Sequence, residues 1–258
     1  MLDNFYEHLD RLYQAGDLKA VEQYLQNCSL QCGLPEKISA LNELGGFYRG
    51  ISRYQESEEA FREAMALLEQ IGQGSTARFA TVLLNLAGTY RLSGRLDEAE
   101  AMLQQAIEQL DTEEYAYASA LNNLSLVKQA QGDLAEAERL SRQALDWIRG
   151  HGAPAHELAT SYNNLAALCM HQQKLPQAQQ MLDKAMEIYD CMQEPNVHLA
   201  AACSTQGVLC YAQRDWAGAE KAFQRALELT EHFFGQNEEY RTTLQNLALV
   251  KRKKEERT

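Results

Sequence analysis

Hydrophobic and polar residues follow each other along most of this chain with the spacing of amphipathic helices. In one stretch the apolar side chains form an i, i+3, i+4, i+7 stripe, at Leu83, Leu86, Ala87 and Tyr90. Gly94 follows, and the next helical segment opens with acidic residues. Glycine suits a helix end and acidic residues suit a helix start, so the pattern predicts helix pairs joined by tight turns.

This pattern recurs five times in one frame. The copies reach their first apolar residue at Leu41, Leu83, Leu121, Tyr162 and Cys203, and a half-copy follows from Leu244. The alanine near the end of each copy recurs after 42, 38, 41 and 41 residues, at Ala64, Ala106, Ala144, Ala185 and Ala226. One helix pair cannot bury both of its faces, so the copies are expected to stack, each covering its neighbour.

Two of the copies read "LLNLAGTYRLSGRLDEAEAMLQQA" from Leu83 and "LNNLSLVKQAQGDLAEAERLSRQA" from Leu121. This motif resembles the repeat of tetratricopeptide-repeat (TPR) proteins, in the long form with an "LNNLA" signature that is seen in kinesin light chains. The resemblance implies an all-α fold, a right-handed α-solenoid of stacked antiparallel helix pairs with about 13 helices.

The copies divide the chain into one solenoid domain with a cap at each end. Residues 1–35 are predicted to form an N-terminal capping helix pair, and residues 237–258 a capping helix with a charged tail. Five repeats are expected between them, at about 36–72, 76–112, 114–152, 154–194 and 196–236. The first helices should line the concave side and the second helices the convex side.

A second stripe on each first helix is expected to face the concave groove. Its amide and hydroxyl members are Asn85, Asn123, Asn164, Thr205 and Asn246, and its aliphatic members include Leu92 and Leu126. An Asn side chain offers one acceptor and two donors, the complement of a peptide unit, so this row is predicted to hold an extended backbone. The TPR resemblance implies the same contact for the asparagines, while Thr205 departs from the pattern.

The alternative role for these amides is hydrogen bonding between neighbouring helices inside the stack, because buried amides need partners. Three glycines favour ligand contact, since glycine inside a helix costs about 1 kcal/mol and suits a close approach to the backbone. They are Gly46, Gly50 and Gly88.

Three charged or titratable residues complete the predicted binding site. His171 lies on the stripe, and Arg49 and Arg91 lie at its margin. These arginines do not form the Lys and Arg clamp that related proteins use for acidic chaperone C-termini, so a ligand with apolar side chains and little negative charge is expected.

Composition excludes several classes of function. The net charge of -12 opposes binding to nucleic acid or anionic lipid, and no apolar run approaches the ~20 residues of a membrane-spanning helix. Six cysteines occur without a CxxC pair or a signal-peptide core, which favours a reducing, cytoplasmic location. No nucleophile with a positioned partner and no metal-ligand set is apparent, so no catalysis, cofactor or metal is expected.

The sequence therefore predicts a non-enzymatic module that binds an extended or helical segment of a protein or peptide ligand, as a monomer or weak homo-oligomer. Two alternatives stay open. One is a self-associating scaffold subunit, and the other is an intracellular receptor for a signalling peptide that lacks its output domain.

Overall fold

The computed structural model describes residues 2–192 and 197–256, and within them it contains 13 α-helices and no strand. This confirms the predicted all-α class and helix number. The helices are α1 (Leu2–Gln14), α2 (Leu18–Gln31), α3 (Leu34–Gly50), α4 (Tyr54–Gln70), α5 (Ala77–Leu92), α6 (Leu96–Gln109), α7 (Tyr115–Gln131), α8 (Leu134–Gly150), α9 (Ala155–His171), α10 (Leu175–Asp190), α11 (Val197–Ala212), α12 (Trp216–Phe234) and α13 (Glu238–Glu255). The predicted repeat limits at 194 and 196, and the last two residues of the C-terminal segment, lie outside the described residues.

The helices belong to two compact units. The first unit comprises Met1–Val127 and Phe233–Gly235, and the second comprises Lys128–His232 and Gln236–Thr258. In the first unit a core cluster joins α1, α2 and α3 through residues such as Phe5, Leu25 and Phe47. In the second unit a cluster joins α9, α10 and α11 through residues such as Tyr162 and Leu199.

Helices α3, α5, α7, α9 and α11 end in the same left-handed turn. The residue with positive φ is Ser52, Gly94, Gly132, Gln173 or Arg214, with φ of 64°, 82°, 87°, 59° and 64° respectively. The N–H of the next residue then bonds back to the last helical turn, as from Arg95 to the carbonyl of Tyr90 at 2.8 Å. Only glycine adopts this conformation without steric cost, so three of these five turns carry some strain.

Small residues let the two helices of a pair approach closely. Ala99, Ala178 and Ala219, on α6, α10 and α12, are fully buried. In α11, a Cβ placed on Gly207 would lie 2.5 Å from the ring of Phe223 on α12. The Phe223 ring therefore occupies the space that a side chain at position 207 would fill.

A small residue on the first helix also faces a large residue on the second helix at the matching positions of other copies. A Cβ on Gly45 of α3 would lie 2.7 Å from the ring of Phe61 on α4. Where the first helix instead has alanine, the second has leucine, in the pairs Ala87 with Leu103 and Ala166 with Leu182. Four of the five copies thus fill the seam between their helices with one small and one large residue, whereas the α7 and α8 copy has Ser125 and Ser141 at these positions.

A carboxylate on the second helix links one copy to the next within each unit. In the first unit, Glu58 accepts from Arg95 at 2.6 Å. In the second unit, Glu138 accepts from Gln172 at 2.9 Å, from Arg142 at 2.7 Å and from Lys174 at 3.3 Å. The hydrogen bond from Gln172, followed by that from Arg142, lowers the pKa of Glu138 to about 2.

Candidate functional site

In the first unit, the two predicted binding amides are engaged inside the protein. The Nδ2 of Asn85 donates to Oδ1 of Asn42 on α3, at 2.9 Å. The Nδ2 of Asn123 donates to the carbonyl of Ser119, one turn earlier in α7, at 3.0 Å. Asn85 therefore makes a bond between neighbouring first helices, the arrangement of the alternative interpretation.

Arg49 makes a second link between α3 and α5. Its Nη1 donates to the backbone carbonyl of Asn85 at 2.8 Å. A Cβ on Gly88 would lie 2.9 Å from this nitrogen, so glycine at this position leaves room for the guanidinium. Burial, and then the charge of Arg91, lower the pKa of Arg49 to about 10, while Glu43 opposes the shift. Gly88 is thus explained by an internal contact.

The other two glycines of this surface differ from each other. A Cβ on Gly50 would lie 2.6 Å from the ring of Phe234, which belongs to the same unit, so Gly50 also serves internal packing. A Cβ on Gly46 would meet no atom within 4 Å. The glycines therefore give little support to ligand contact in the first unit.

The remaining predicted site residues of the first unit vary in exposure. Leu92 is 44% exposed, whereas Leu126 and Arg91 are half-buried.

The second unit differs because its amides are not engaged. Asn164 on α9 and Asn246 on α13 are both half-buried, and neither has a hydrogen-bond partner among the described residues. Between them on α11 lies Thr205, whose hydroxyl donates to the carbonyl of Ala201 in its own helix at 3.0 Å. Two half-buried amides with open donors and acceptors are suited to bonding a guest molecule.

Two adjoining depressions lie on this surface. The larger has a volume of about 360 Å³ and is lined by Ala167, Met170, His171, Ser204, Thr205 and Val208. The smaller has a volume of about 70 Å³ and is lined by Val208, Tyr211, Phe223, Asn246 and Leu249. Val208 lines both depressions, so they form one continuous surface over α9, α11 and α13. This surface and the neighbouring Asn164 are called here the amide face.

The chemistry of the amide face is apolar with a few uncharged polar groups. Val208 and Leu249 are 40% and 41% exposed, so aliphatic surface is accessible on this face. Neither depression has Asp, Glu, Lys or Arg in its lining. A surface of this kind accepts uncharged side chains and offers hydrogen bonds to a backbone.

Sequence reasoning named some of these residues and missed others. His171, Thr205 and Asn246 were predicted and line the depressions, but Met170 and Tyr211 were not. Both occupy the helix position that Arg49 and Arg91 occupy in earlier copies. Comparing that position across the copies would have shown a change from basic to apolar.

Metal sites and membrane-spanning segments are both absent from the described residues. No three His, Cys, Asp or Glu side chains there are placed to share a metal ion. No helix there has both the length and the apolarity needed to cross a membrane.

The helix pairs, their common turn and the stacked first helices define a TPR-type helical-repeat protein. The chain belongs to the family described as the MalT-like TPR region, whose sequence model matches residues 36–253. This confirms the TPR resemblance.

Solved structures share the fold at low sequence identity. A putative kinesin light chain from Podosopora anserina, with nearly identical TPR-like repeats, is 17% identical with a TM-score of 0.53, covering 76% of this chain and 95% of that one. A Rap protein complexed with Competence and Sporulation Factor is 16% identical with a TM-score of 0.67, covering 98% of this chain and 75% of that one. These likenesses show the TPR-like solenoid fold.

A curated relative matches over a shorter stretch. Protein O-mannosyl-transferase TMTC3 of Homo sapiens is 33% identical over 108 residues, which cover 39% of this chain and 12% of that protein. This chain therefore spans only about an eighth of its relative's length, and the match concerns the repeats.

Proposed function

We propose that the second unit binds an extended, uncharged segment of a partner protein across the amide face. The observation that carries this proposal is that Asn164 and Asn246, half-buried on either side of α11, have no hydrogen-bond partner among the described residues. The polar atoms of a half-buried amide without a protein partner are bonded to water, and a ligand's backbone can take the place of that water.

The two depressions of the amide face define what the side chains of the ligand should be. Apolar residues such as Val208 and Leu249 favour apolar side chains, and the uncharged lining gives no compensation for a buried ion. The net charge of -12 adds a general repulsion toward acidic partners. The ligand is therefore an uncharged segment with apolar side chains.

The comparisons support a binding role in a general way. The fold is shared with a Rap protein that was solved with Competence and Sporulation Factor, so this helical arrangement accommodates a bound factor in that protein. For this chain we propose a non-catalytic, cytoplasmic module. In the first unit, Asn85 and Asn123 take a structural role because their amides already have internal partners.

The test uses peptides selected for binding to the wild-type protein from a random display library. Replacing both Asn164 and Asn246 by alanine should weaken binding about 5- to 150-fold, because each amide contributes roughly 0.5–1.5 kcal/mol through its hydrogen bonds. Fluorescence anisotropy of labelled peptides measures the affinity, and circular dichroism checks that the variant is folded.

The matched control replaces Asn85 and Asn123 by alanine. These amides bond inside the first unit, so the control should lose stability and keep its affinity for the selected peptides. If the Asn164 and Asn246 variant binds as tightly as the wild type, or if only the control loses affinity, the proposal is wrong.

A further inference from the structure

The last helix, α13, shows a face that is covered in every preceding copy. In α9, Tyr162 and Ala166 lie on the side toward the second helix of the pair, and they are 9% and 0% exposed. The matching residues of α13 are Leu244 and Ala248. Both are exposed, Leu244 by 48%. This side of α13 is thus a first-helix face without a second helix over it in the described chain.

Two other sides of α13 are already in use. Leu247 and Val250 are buried and pack in a cluster with Ala219 and Phe223 of α12. Asn246 and Leu249 line the amide face. At 100° per residue, the side that carries Leu244 and Ala248 points away from both, so an occupant there would leave the amide face open.

We propose that this end face, formed by Arg241, Leu244, Ala248, Arg252 and Glu255, binds the same face of a second copy of the chain. The residues are spaced symmetrically about Ala248, with Leu244 and Arg252 four residues away and Arg241 and Glu255 seven residues away. A twofold axis that passes beside Ala248 at right angles to α13 makes the two helices antiparallel.

Antiparallel pairing about Ala248 sets the residues of the end face against each other in register. Arg241 then lies opposite Glu255 of the second copy, and this charge pair forms twice. Leu244 lies against the aliphatic part of Arg252 of the second copy, which can cover apolar surface and keep its charge in water. Ala248 meets its own symmetry mate, and its small side chain allows the close approach that buried alanines allow within each pair.

The strength of this association follows from its size. One helix from each chain buries far less than the ~1,600 Å² of a standard interface, so we expect a dissociation constant of roughly 10 µM to 1 mM. The charge pairs are exposed and will weaken as salt is added.

Sedimentation velocity over a range of protein concentrations tests this contact. The wild type should shift from the mass of one chain toward that of two as the concentration approaches about 1 mM. The Leu244→Glu variant should stay at the mass of one chain, since it places a charge on the apolar centre of the contact. The matched control is Thr242→Glu, an exposed change on another side of the same helix, which should associate like the wild type.

A charge exchange identifies the geometry. Arg241→Glu and Glu255→Arg should each weaken association several-fold, and the double variant should restore it, because only antiparallel pairing of the end face brings these two positions together. A wild type that remains a single chain at every concentration, or a double variant that associates no better than the single ones, overturns the proposal. Neither result affects peptide binding by the amide face.

Discussion

The contact between Gly207 and Phe223 gives a quantitative test of how the helix pairs are packed. In an isolated helix, Gly207→Ala would be stabilising by roughly 0.5–1 kcal/mol, because alanine has the better helix propensity. Here the new Cβ would lie 2.5 Å from the Phe223 ring, well inside the ~3.5–4.0 Å of a normal carbon contact. The ring or the helix must therefore move by about 1 Å.

The cost of this movement decides the sign of the change. Overpacking of a core by one methyl group costs typically 1–3 kcal/mol, which exceeds the propensity gain. We expect Gly207→Ala to lower the free energy of unfolding by about 1–2 kcal/mol, as measured by urea denaturation followed by circular dichroism. Gly46→Ala is the matched control, because a Cβ there meets no atom within 4 Å and should stabilise the protein.

A double-mutant cycle separates the steric effect from other causes. Phe223→Leu alone should be destabilising by about 1–2 kcal/mol because it leaves a cavity. When Gly207→Ala is added to it, the pair becomes the alanine and leucine found at the same positions in Ala166 and Leu182, and stability should be regained. The two changes should therefore couple by at least about 1.5 kcal/mol. Additive effects, or a Gly207→Ala variant as stable as the wild type, would refute the packing argument.

Three further predictions concern the turns and the polar links. Gly132→Ala should lower the free energy of unfolding by about 1 kcal/mol and Gln173→Gly should raise it by a similar amount, since both residues have positive φ; chemical denaturation of the two variants measures this. Glu138→Gln should be destabilising by about 1 kcal/mol at neutral pH after allowance for solvent screening. The folded pKa of Glu138 is lowered from 4.5 to about 2, so its contribution to stability is complete above about pH 5 and is lost as the pH falls toward 2. The difference in unfolding free energy between variant and wild type should therefore disappear over that range. Urea denaturation at a series of pH values measures it. Gly88→Ala should displace Arg49 from the carbonyl of Asn85 and lower the melting temperature despite its better helix propensity; a rise in melting temperature would contradict that role.

The fold could be predicted because the same hydrophobic pattern recurs in each of the five copies. A stripe such as Leu83, Leu86 and Tyr90 has one physical meaning, burial against a neighbouring helix, and the structure buries all three. The turns were less evident. Gly94 indicates a left-handed conformation because glycine adopts positive φ easily. Gln173 and Arg214 have the same conformation, but the sequence indicates it only because they occupy the position of Gly94 in their copies.

The candidate site was harder to predict because side-chain partners depend on the neighbouring helix. Asn85 and Asn246 occupy the same position in their copies, yet their surroundings differ. The residue of the preceding copy that bonds to Asn85 is Asn42, and its counterpart before Asn246 is the shorter Ser204. A pattern along one helix contains no information on whether an amide finds such a partner.

The central claim is that the amides of the second unit are available to a ligand and those of the first unit are not. Side-chain NH₂ signals in an ¹⁵N–¹H correlation spectrum, recorded with and without a selected peptide, test this claim most directly. We predict that the NH₂ signals of Asn164 and Asn246 shift on binding, and that those of Asn85 and Asn123 stay in place because they are already bonded internally. Shifts confined to Asn85 and Asn123, with Asn164 and Asn246 unchanged, would contradict it.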